Sequence, residues 1–271
     1  MRNVWRLILI PVALLTLGLF ANADAFLFDP GRLDSDYYVP KVDQFVIIFD
    51  ASRSMGDYYH EFRKVHVAHS LFTSMIMTIP REEYSGGLII FGRERCLGGR
   101  SIVEAHPVSI YDADAFNAAI SKVSCAGGRT PLADATRAAL NLLPNQESPT
   151  SIIIISDGQD LGSAETKLAQ KIRKKFGESM NIYTIQIGEN SHGQKVLQDM
   201  AGATADGFYL NAVELTPAAM MEEFVIGVLL YEDDDGDGVA NSWDECPNTP
   251  SEAVVDVTGC SADAEGGGQG R

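Results

Sequence analysis

The chain has 271 residues, of which 45% are hydrophobic, and a formal net charge of −16. This acidic balance argues against nonspecific binding to nucleic acids or to anionic membrane surfaces, because both need basic patches. The length and the apolar content are sufficient for one domain with a substantial core and for shorter appended segments.

Residues 1–23 have the pattern of a secretory signal peptide. Two arginines precede an apolar run over residues 7–20, and small residues then allow cleavage after Ala23 or, at an overlapping site, after Ala25. The run has about 14 residues, fewer than the roughly 20 that a membrane-spanning helix needs, and no later segment has the length and apolarity of a span. We therefore expect a mature chain without a membrane span, located in the periplasm or secreted.

A polar, proline-containing lead-in follows over residues 24–43, and we expect it to pack on the edge of the next domain. Residues 45–49 are apolar throughout, which predicts a strand buried on both faces of a parallel sheet. Asp50, Ser52 and Ser54 come directly after this strand, where sheets of this kind bind their ligands. One carboxylate and two hydroxyls supply hard oxygen atoms for a small divalent cation, but no strong nucleophile or base. They predict a metal site and not a catalytic one.

Strand and helix patterns alternate through residues 44–231. Helical periodicity is present in six segments, which cover residues 58–79, 113–123, 133–143, 164–176, 193–200 and 217–230. Strand patterns cover residues 45–49, 88–91, 151–155, 182–187 and 207–210. This alternation predicts an α/β domain with a doubly wound, mostly parallel sheet flanked by helices.

Two further loops carry oxygen ligands. Residues 127–132 form a glycine- and proline-punctuated loop with a hydroxyl at Thr130, and the strand pattern at 151–155 ends in Ser156, Asp157 and a glycine. The sequences DASRS, GGRTPL and IIIISDG together resemble the three loops of the metal-ion-dependent adhesion site in von Willebrand factor A domains. The resemblance covers about residues 41–230 and implies the Rossmann-like fold of that family.

The resemblance also implies a role for each residue of the site. Ser52, Ser54 and Thr130 would bind Mg²⁺ or Mn²⁺ directly through their hydroxyls. Asp50 and Asp157 would act largely through water, which leaves the ion under-neutralised and one of its six positions open for an acidic group of a partner. The alternative is local: the serines cap the first helix, Thr130 caps the third predicted helix, and Asp157 forms an Asx turn.

The sequence contains four cysteines, an even number that agrees with an oxidising compartment. We expect the pairs Cys96–Cys125 and Cys246–Cys260, although four cysteines allow three pairings. The first pair would close a loop of about 30 residues and hold the segment that presents Thr130.

The acidity is concentrated at the end of the chain, where residues 232–271 hold 11 acidic residues and one basic residue. Within this tail, the spacing of a Ca²⁺-binding loop is filled by Asp233, Asp235, Asp237, Val239 (through its carbonyl), Asn241 and Asp244. Residues 232–260 resemble a thrombospondin type 3 repeat, of the kind found in linkers of the outer membrane protein A family, and residues 261–271 have the composition of a flexible tail.

The tail departs from the related patterns at two positions. Asp244 stands where an EF-hand loop usually has a bidentate glutamate, and Asn241 stands where the repeat usually has aspartate. The alternative to a Ca²⁺ loop is a disordered acidic tail that only aids solubility.

These patterns predict an exported, metal-dependent protein-binding module of adhesion or scaffold type. It would bind an acidic side chain of another protein through its divalent cation, with the Ca²⁺ repeat as a spacer or stabiliser. Outer-membrane or peptidoglycan-linked proteins are candidates for association, and nucleic acids are not. The alternative is a structural protein of the cell envelope in which the metals only stabilise the fold. The sequence shows no catalytic set of residues, so an enzyme ranks below both.

Overall fold

The structure is a computed structural model that describes residues 28–92, 99–123 and 125–261. The predicted signal peptide, the first residues of the lead-in, Cys96 and most of the flexible tail lie outside these ranges. No helix in the described ranges is long and apolar enough to span a bilayer.

The described residues form ten strands, six helices and three short 3₁₀ turns. The strands are β1 (Tyr38–Pro40), β2 (Gln44–Ala51), β3 (Tyr58–Tyr59), β4 (Phe62–Arg63), β5 (Ser85–Gly92), β6 (Ile102–Ile110), β7 (Thr150–Ser156), β8 (Met180–Gln186), β9 (Tyr209–Asn211) and β10 (Leu230–Glu232). The helices are α1 (Lys64–Thr78), α2 (Ala113–Ile120), α3 (Leu132–Leu142), α4 (Ser163–Phe176), α5 (Ser191–Ala201) and α6 (Ala218–Leu229). The turns are Ser35–Tyr37, Arg53–Gly56 and Ala212–Leu215.

Six strands form one central sheet in the order β6-β5-β2-β7-β8-β9. The edge strand β6 is antiparallel to β5, and the other neighbours are parallel. The central strands β2 and β7 are buried along their whole length, as expected for parallel strands covered on both faces. The predicted α/β fold with a mostly parallel sheet is therefore confirmed.

Helices cover both faces of this sheet, and the alternation of side chains along β2 shows how. Phe45, Ile47 and Phe49 pack into the core shared with α1, α2 and α6. Val46 and Ile48 point to the other face and pack into the core shared with α3, α4 and α5. The sheet is thus the middle of three layers, and the connections between strands and helices meet at its edges.

Besides the short strands β1 and β10, which were not predicted, two regions differ from the sequence-based expectations. The first helix begins at Lys64 and not near residue 58, because a short hairpin of β3 and β4 precedes it, with His60 in the left-handed region at φ 52°. The antiparallel strand β6 was not predicted; it contains Pro107, which an edge position tolerates because the outer side of the strand needs no ladder hydrogen bonds. The ends of the other predicted elements lie within three residues of their observed ends.

The lead-in packs against the domain, as expected. Its strand β1 pairs antiparallel with β10, outside the central sheet. Phe28 is buried in the core on the α1 and α6 side, and the Gly31 amide donates to Thr78 Oγ1 at 2.7 Å. The residues before β2 and those after α6 are therefore joined to each other as well as to the domain.

Candidate functional site

The three predicted loops meet at the carboxyl end of the sheet. Because β2 and β7 are parallel neighbours, they bring Asp50 and Asp157 to the same edge, where both carboxylates are fully buried. The third loop is held there by its backbone: the Gly127 amide donates to the carbonyl of Ala51 at 2.8 Å, and the Gly128 carbonyl accepts from the amide of Arg53 at 3.2 Å.

Three side-chain oxygens lie in contact within this site. Ser52 Oγ is 3.2 Å from Ser54 Oγ, and Ser54 Oγ donates to Asp157 Oδ1 at 3.1 Å. Mg²⁺ binds oxygen at about 2.0–2.1 Å in an octahedron, so neighbouring ligands on one ion are roughly 3 Å apart. The spacing of these oxygens therefore fits adjacent positions around a small divalent cation.

Asp50 has both carboxylate oxygens engaged within the protein. Its Oδ1 accepts from the amide of Ser52 at 2.7 Å, and its Oδ2 accepts from Ser156 Oγ at 2.5 Å. Burial, followed by the charge of Asp157, raises the pKa of Asp50 to about 7, against the lowering effect of these hydrogen bonds. A carboxylate held in this way is suited to act on an ion through water.

Asp157 is held by three donors, one of which the sequence did not suggest. The Gln159 amide donates to its Oδ1 at 3.0 Å, which is the Asx turn considered above. The ammonium of Lys64 lies 2.8 Å from its Oδ2, and the lysine side chain is only 14% exposed. Lys64 is the first residue of α1, and no motif marks it, because its position depends on where the helix begins.

The alternative that the hydroxyls of the two serines and of Thr130 only cap helices is wrong. The N-cap of α1 is Arg63 and that of α3 is Pro131, and neither helix has a side-chain cap. Ser52 precedes the 3₁₀ turn without capping it through its side chain. Thr130 is partly exposed and, within the described part of the chain, its hydroxyl makes no hydrogen bond. The structure places Thr130 in the loop beside the site but shows no contact between its hydroxyl and the other oxygens.

A second acidic site lies directly after β10. Ligand atoms of Asp233, Asp235 and Asp237 lie within 4.8 Å of one another. Asp233 is buried, and the amides of Gly236 and Gly238 donate to its two oxygens at 2.9 and 2.8 Å. Both glycines have positive φ, 71° and 91°, which the sharp turn of the loop requires.

Asp237 is the member of this cluster with an unsatisfied oxygen. Its Oδ2 is buried and has no hydrogen-bond partner among the described residues. Desolvation raises the pKa of Asp237, and the charges of Asp235, Asp244 and Asp233 raise it further. A cation between these carboxylates would relieve both effects.

The remaining predicted ligands are less closely gathered. Asp244 Oδ1 accepts from the amide of Cys246 at 2.8 Å, and Asn241 Oδ1 accepts from the amide of Asp234 at 2.8 Å. The amide of Val239 donates to Asp237 Oδ1 at 2.9 Å, which fixes the turn of the loop at this position. The structure thus brings together Asp233, Asp235 and Asp237. The ligand roles of Val239, Asn241 and Asp244 stay predictions.

The disulfide predictions have different outcomes. Cys246 and Cys260 form a disulfide, as predicted. Cys125 is disulfide-bonded as well, but its predicted partner, Cys96, lies outside the described residues.

Comparison with known proteins agrees with the fold. The model of the von Willebrand factor type A domain matches residues 45–159. No curated protein matches the chain.

Several solved structures share the fold at low sequence identity. The conserved hypothetical protein BatB from Bacteroides thetaiotaomicron has a TM-score of 0.53 at 13% identity, over 68% of this chain and 96% of that one. The structure of three N-terminal domains of the type V pili tip protein Mfa5 from Porphyromonas gingivalis has a TM-score of 0.52 at 12% identity, over 70% of this chain and 49% of that one. Manganese-loaded TRAP protein from Plasmodium vivax has a TM-score of 0.50 at 16% identity, over 72% of this chain and 79% of that one. The matched segment runs from β2 to just past Asp157, and together with the shared fold it supports a von Willebrand factor type A domain in this chain.

Proposed function

We propose that this protein binds another protein through a divalent cation held at the carboxyl edge of its sheet. Mg²⁺ or Mn²⁺ would be bound by the hydroxyls of Ser52, Ser54 and Thr130, with Asp50 and Asp157 behind them. The observation that carries the proposal is the set of side-chain oxygens, 3.1–3.2 Å apart, beside two fully buried carboxylates. Two buried carboxylates with one lysine leave negative charge uncompensated, which a cation would balance.

The chemistry of the ligands favours an acidic partner. Hydroxyls are neutral ligands, so an ion bound mainly by them keeps a positive charge that an incoming carboxylate can neutralise. Von Willebrand factor type A domains function in adhesion and protein–protein interaction, often with a metal ion. The manganese-loaded TRAP protein and the pili tip protein Mfa5, which share the fold, agree with a role of this kind. We assign no catalytic role to the site.

The acidic loop would bind Ca²⁺ as a thrombospondin type 3 repeat. The clustered carboxylates of Asp233, Asp235 and Asp237 and the unsatisfied Asp237 Oδ2 support this. We propose Asp244, Asn241 and the Val239 carbonyl as the further ligands. In this role the loop stabilises the end of the chain.

We also propose that the protein is exported through its signal peptide and works in the periplasm or outside the cell. Disulfide bonds at Cys125 and between Cys246 and Cys260 support an oxidising compartment. Partners would then be proteins of the cell envelope or of its surroundings.

Metal titration of the full chain tests the main proposal. Calorimetry should show a Mn²⁺ site that Mg²⁺ competes for and that T130A weakens by at least about tenfold, because a direct ligand is lost. S121A, which removes an exposed hydroxyl that donates to the carbonyl of Ala118 at the end of α2, should leave the affinity unchanged. Equal Mn²⁺ affinity in the wild type and T130A would refute the proposed ligand set.

Capture from envelope extract then tests the adhesive role. Proteins retained by the immobilised chain in Mg²⁺ should be released by EDTA, should not be retained by T130A, and should be lost after amidation of the carboxylates in the extract. If chelation lowers the stability of the chain but leaves every association unchanged, the alternative of a structural envelope protein is favoured.

A further inference from the structure

Lys64 places a cation inside the candidate metal site. Its Nζ is 2.8 Å from Asp157 Oδ2, while the other oxygen of this carboxylate, Oδ1, accepts from Ser54 Oγ. The Asp157 carboxylate is fully buried and the lysine side chain is 14% exposed, so solvent screens this pair weakly. The aliphatic part of the Lys64 side chain packs over Gly188. A Cβ added to this glycine would lie 3.4 Å from Lys64 Cε.

Helix stability does not explain a lysine at this position. Lys64 is the first residue of α1, where the positive end of the helix dipole disfavours a cation. Its charge is compensated by Asp157, which belongs to a different loop and is distant in sequence. The interaction therefore serves the site more than the helix.

We propose that Lys64 is an internal counter-ion that competes with the divalent cation for Asp157 and so lowers the affinity of the site for metal alone. Without the ion, the ammonium neutralises one of two adjacent buried carboxylates and keeps the loops ordered. With the ion bound, two carboxylates face a divalent cation and an ammonium, so the site has a net charge of about +1 at neutral pH. A partner carboxylate would neutralise it, and Lys64 would thereby couple metal binding to binding of an acidic partner.

This inference rests on the proposed metal site, and one set of variants separates the two. Mn²⁺ binding to the full chain is measured by the loss of the spectrum of free Mn²⁺ in electron paramagnetic resonance. K64M, which keeps the length of the side chain but not its charge, should bind Mn²⁺ at least about tenfold more tightly than the wild type. K64R keeps the charge and should stay within about threefold of the wild type.

K41M provides the matched control. Lys41 is similarly buried, at 18% exposed, and is paired with an aspartate, Asp206, but it belongs to the lead-in and lies near the amino ends of β2 and β7, away from the site. K41M should lower the melting temperature without changing Mn²⁺ affinity. In EDTA, K64M should melt at a lower temperature than the wild type. In Mn²⁺ this difference should disappear, because the bound ion replaces the missing counter-ion.

The coupling between metal binding and carboxylate binding is tested by a separate measurement, with acetate as the carboxylate. When acetate replaces chloride at equal ionic strength, Mn²⁺ affinity should rise more in the wild type than in K64M. Affinity in K64M that equals or falls below that of the wild type would overturn the inference, since Lys64 would then only position Asp157. Absence of Mn²⁺ binding in the wild type, K64M and K64R alike would overturn the proposed metal site together with it.

Discussion

Asp50 and Asp157 are both fully buried at the same edge of the sheet, and the balance of charge around them sets the behaviour of the metal-free domain. The raised pKa of Asp50, about 7, means that the folded state holds this proton more tightly than the unfolded chain, in which an aspartate titrates near 4. The folded state therefore binds more protons than the unfolded state between about pH 4 and pH 7. By linkage, its stability falls as the pH rises through this interval.

D50N should remove this pH dependence. In EDTA, the free energy of unfolding of D50N relative to the wild type should increase by about 2 kcal/mol between pH 5 and pH 8, because only the wild type must ionise a buried carboxyl. Urea denaturation at several pH values measures it. D43N removes an exposed carboxylate just before the same strand and controls for the loss of one charge. Parallel pH curves for D50N and the wild type would contradict the prediction.

The residues of the site divide into those that a sequence can reveal and those that it cannot. Asp50, Ser52 and Asp157 lie at or just past the carboxyl ends of two apolar strands, and the parallel pairing of these strands was enough to bring them together. Lys64 and Ser156 complete the electrostatics of the two carboxylates through contacts between different elements. Such contacts depend on the exact start of a helix and on side-chain packing, and no spacing in the sequence encodes them.

At the level of elements, the strongly periodic segments were predictable and the irregular ones were not. The apolar strands β2 and β7 are buried as predicted, since apolar runs of this kind have few alternatives to the centre of a parallel sheet. The hairpin before α1 was missed because Phe62 and Val65 continue the apolar spacing of the helix, although only Val65 lies within it. The backbone turn at His60, and not hydrophobic periodicity, sets this boundary.

The tail loop is closed by a covalent link between two of its residues. The disulfide joins cysteines separated by 14 residues, and between them Thr249 donates its amide to Asp235 Oδ2 at 2.6 Å and its hydroxyl to the carbonyl of Gly259 at 2.8 Å. The bridged segment thus closes over the carboxylate cluster. Closing a loop of this size contributes about 3 kcal/mol through the entropy of the unfolded chain.

Replacing both cysteines should therefore weaken Ca²⁺ binding. C246A/C260A should lower the Ca²⁺ affinity of the full chain by at least about tenfold, because part of the binding energy must then order the segment around Thr249. Terbium luminescence sensitised by Trp243, which lies within the loop, with Ca²⁺ as competitor, measures the affinity. Mn²⁺ affinity at the other site serves as the internal control and should not change. Unaltered Ca²⁺ affinity would show that the loop is ordered without the bridge.

For the whole molecule, the two candidate metal sites belong to one connected structure. Asp233 follows β10 directly, and its amide donates to the carbonyl of Tyr37 at 2.9 Å, next to β1. The rings of Tyr231 and Trp243 meet edge to face at 4.9 Å. The Lys41 ammonium lies over the Tyr231 ring and donates to the carbonyl of Gly227 in α6. The acidic loop is therefore packed against the domain and does not extend from it as a free spacer.

This packing predicts that both ions stabilise a single cooperative unit. Thermal unfolding of the full chain should show one transition, which Ca²⁺ and Mg²⁺ each shift upward. Each ion at 100 times its dissociation constant adds about 2.7 kcal/mol, or roughly 5–10 °C for a chain of this size. D237A should abolish the increment from Ca²⁺ alone. T130A should reduce only the increment from Mg²⁺, to about 1.4 kcal/mol or less, because a tenfold weaker site is then at no more than 10 times its dissociation constant.

Two separate transitions, with Ca²⁺ shifting only the smaller one, would instead show that the loop unfolds independently. The contacts of Tyr231 and Lys41 would then be too weak to join it to the domain. A single transition that both ions raise would mean that the β1–β10 pair transmits the energy of Ca²⁺ binding to the end of α6. Because α6 packs into the same core as α1, which carries Lys64 at its start, the acidic loop would then stabilise the layer of helices that supports one side of the candidate metal site at the sheet edge.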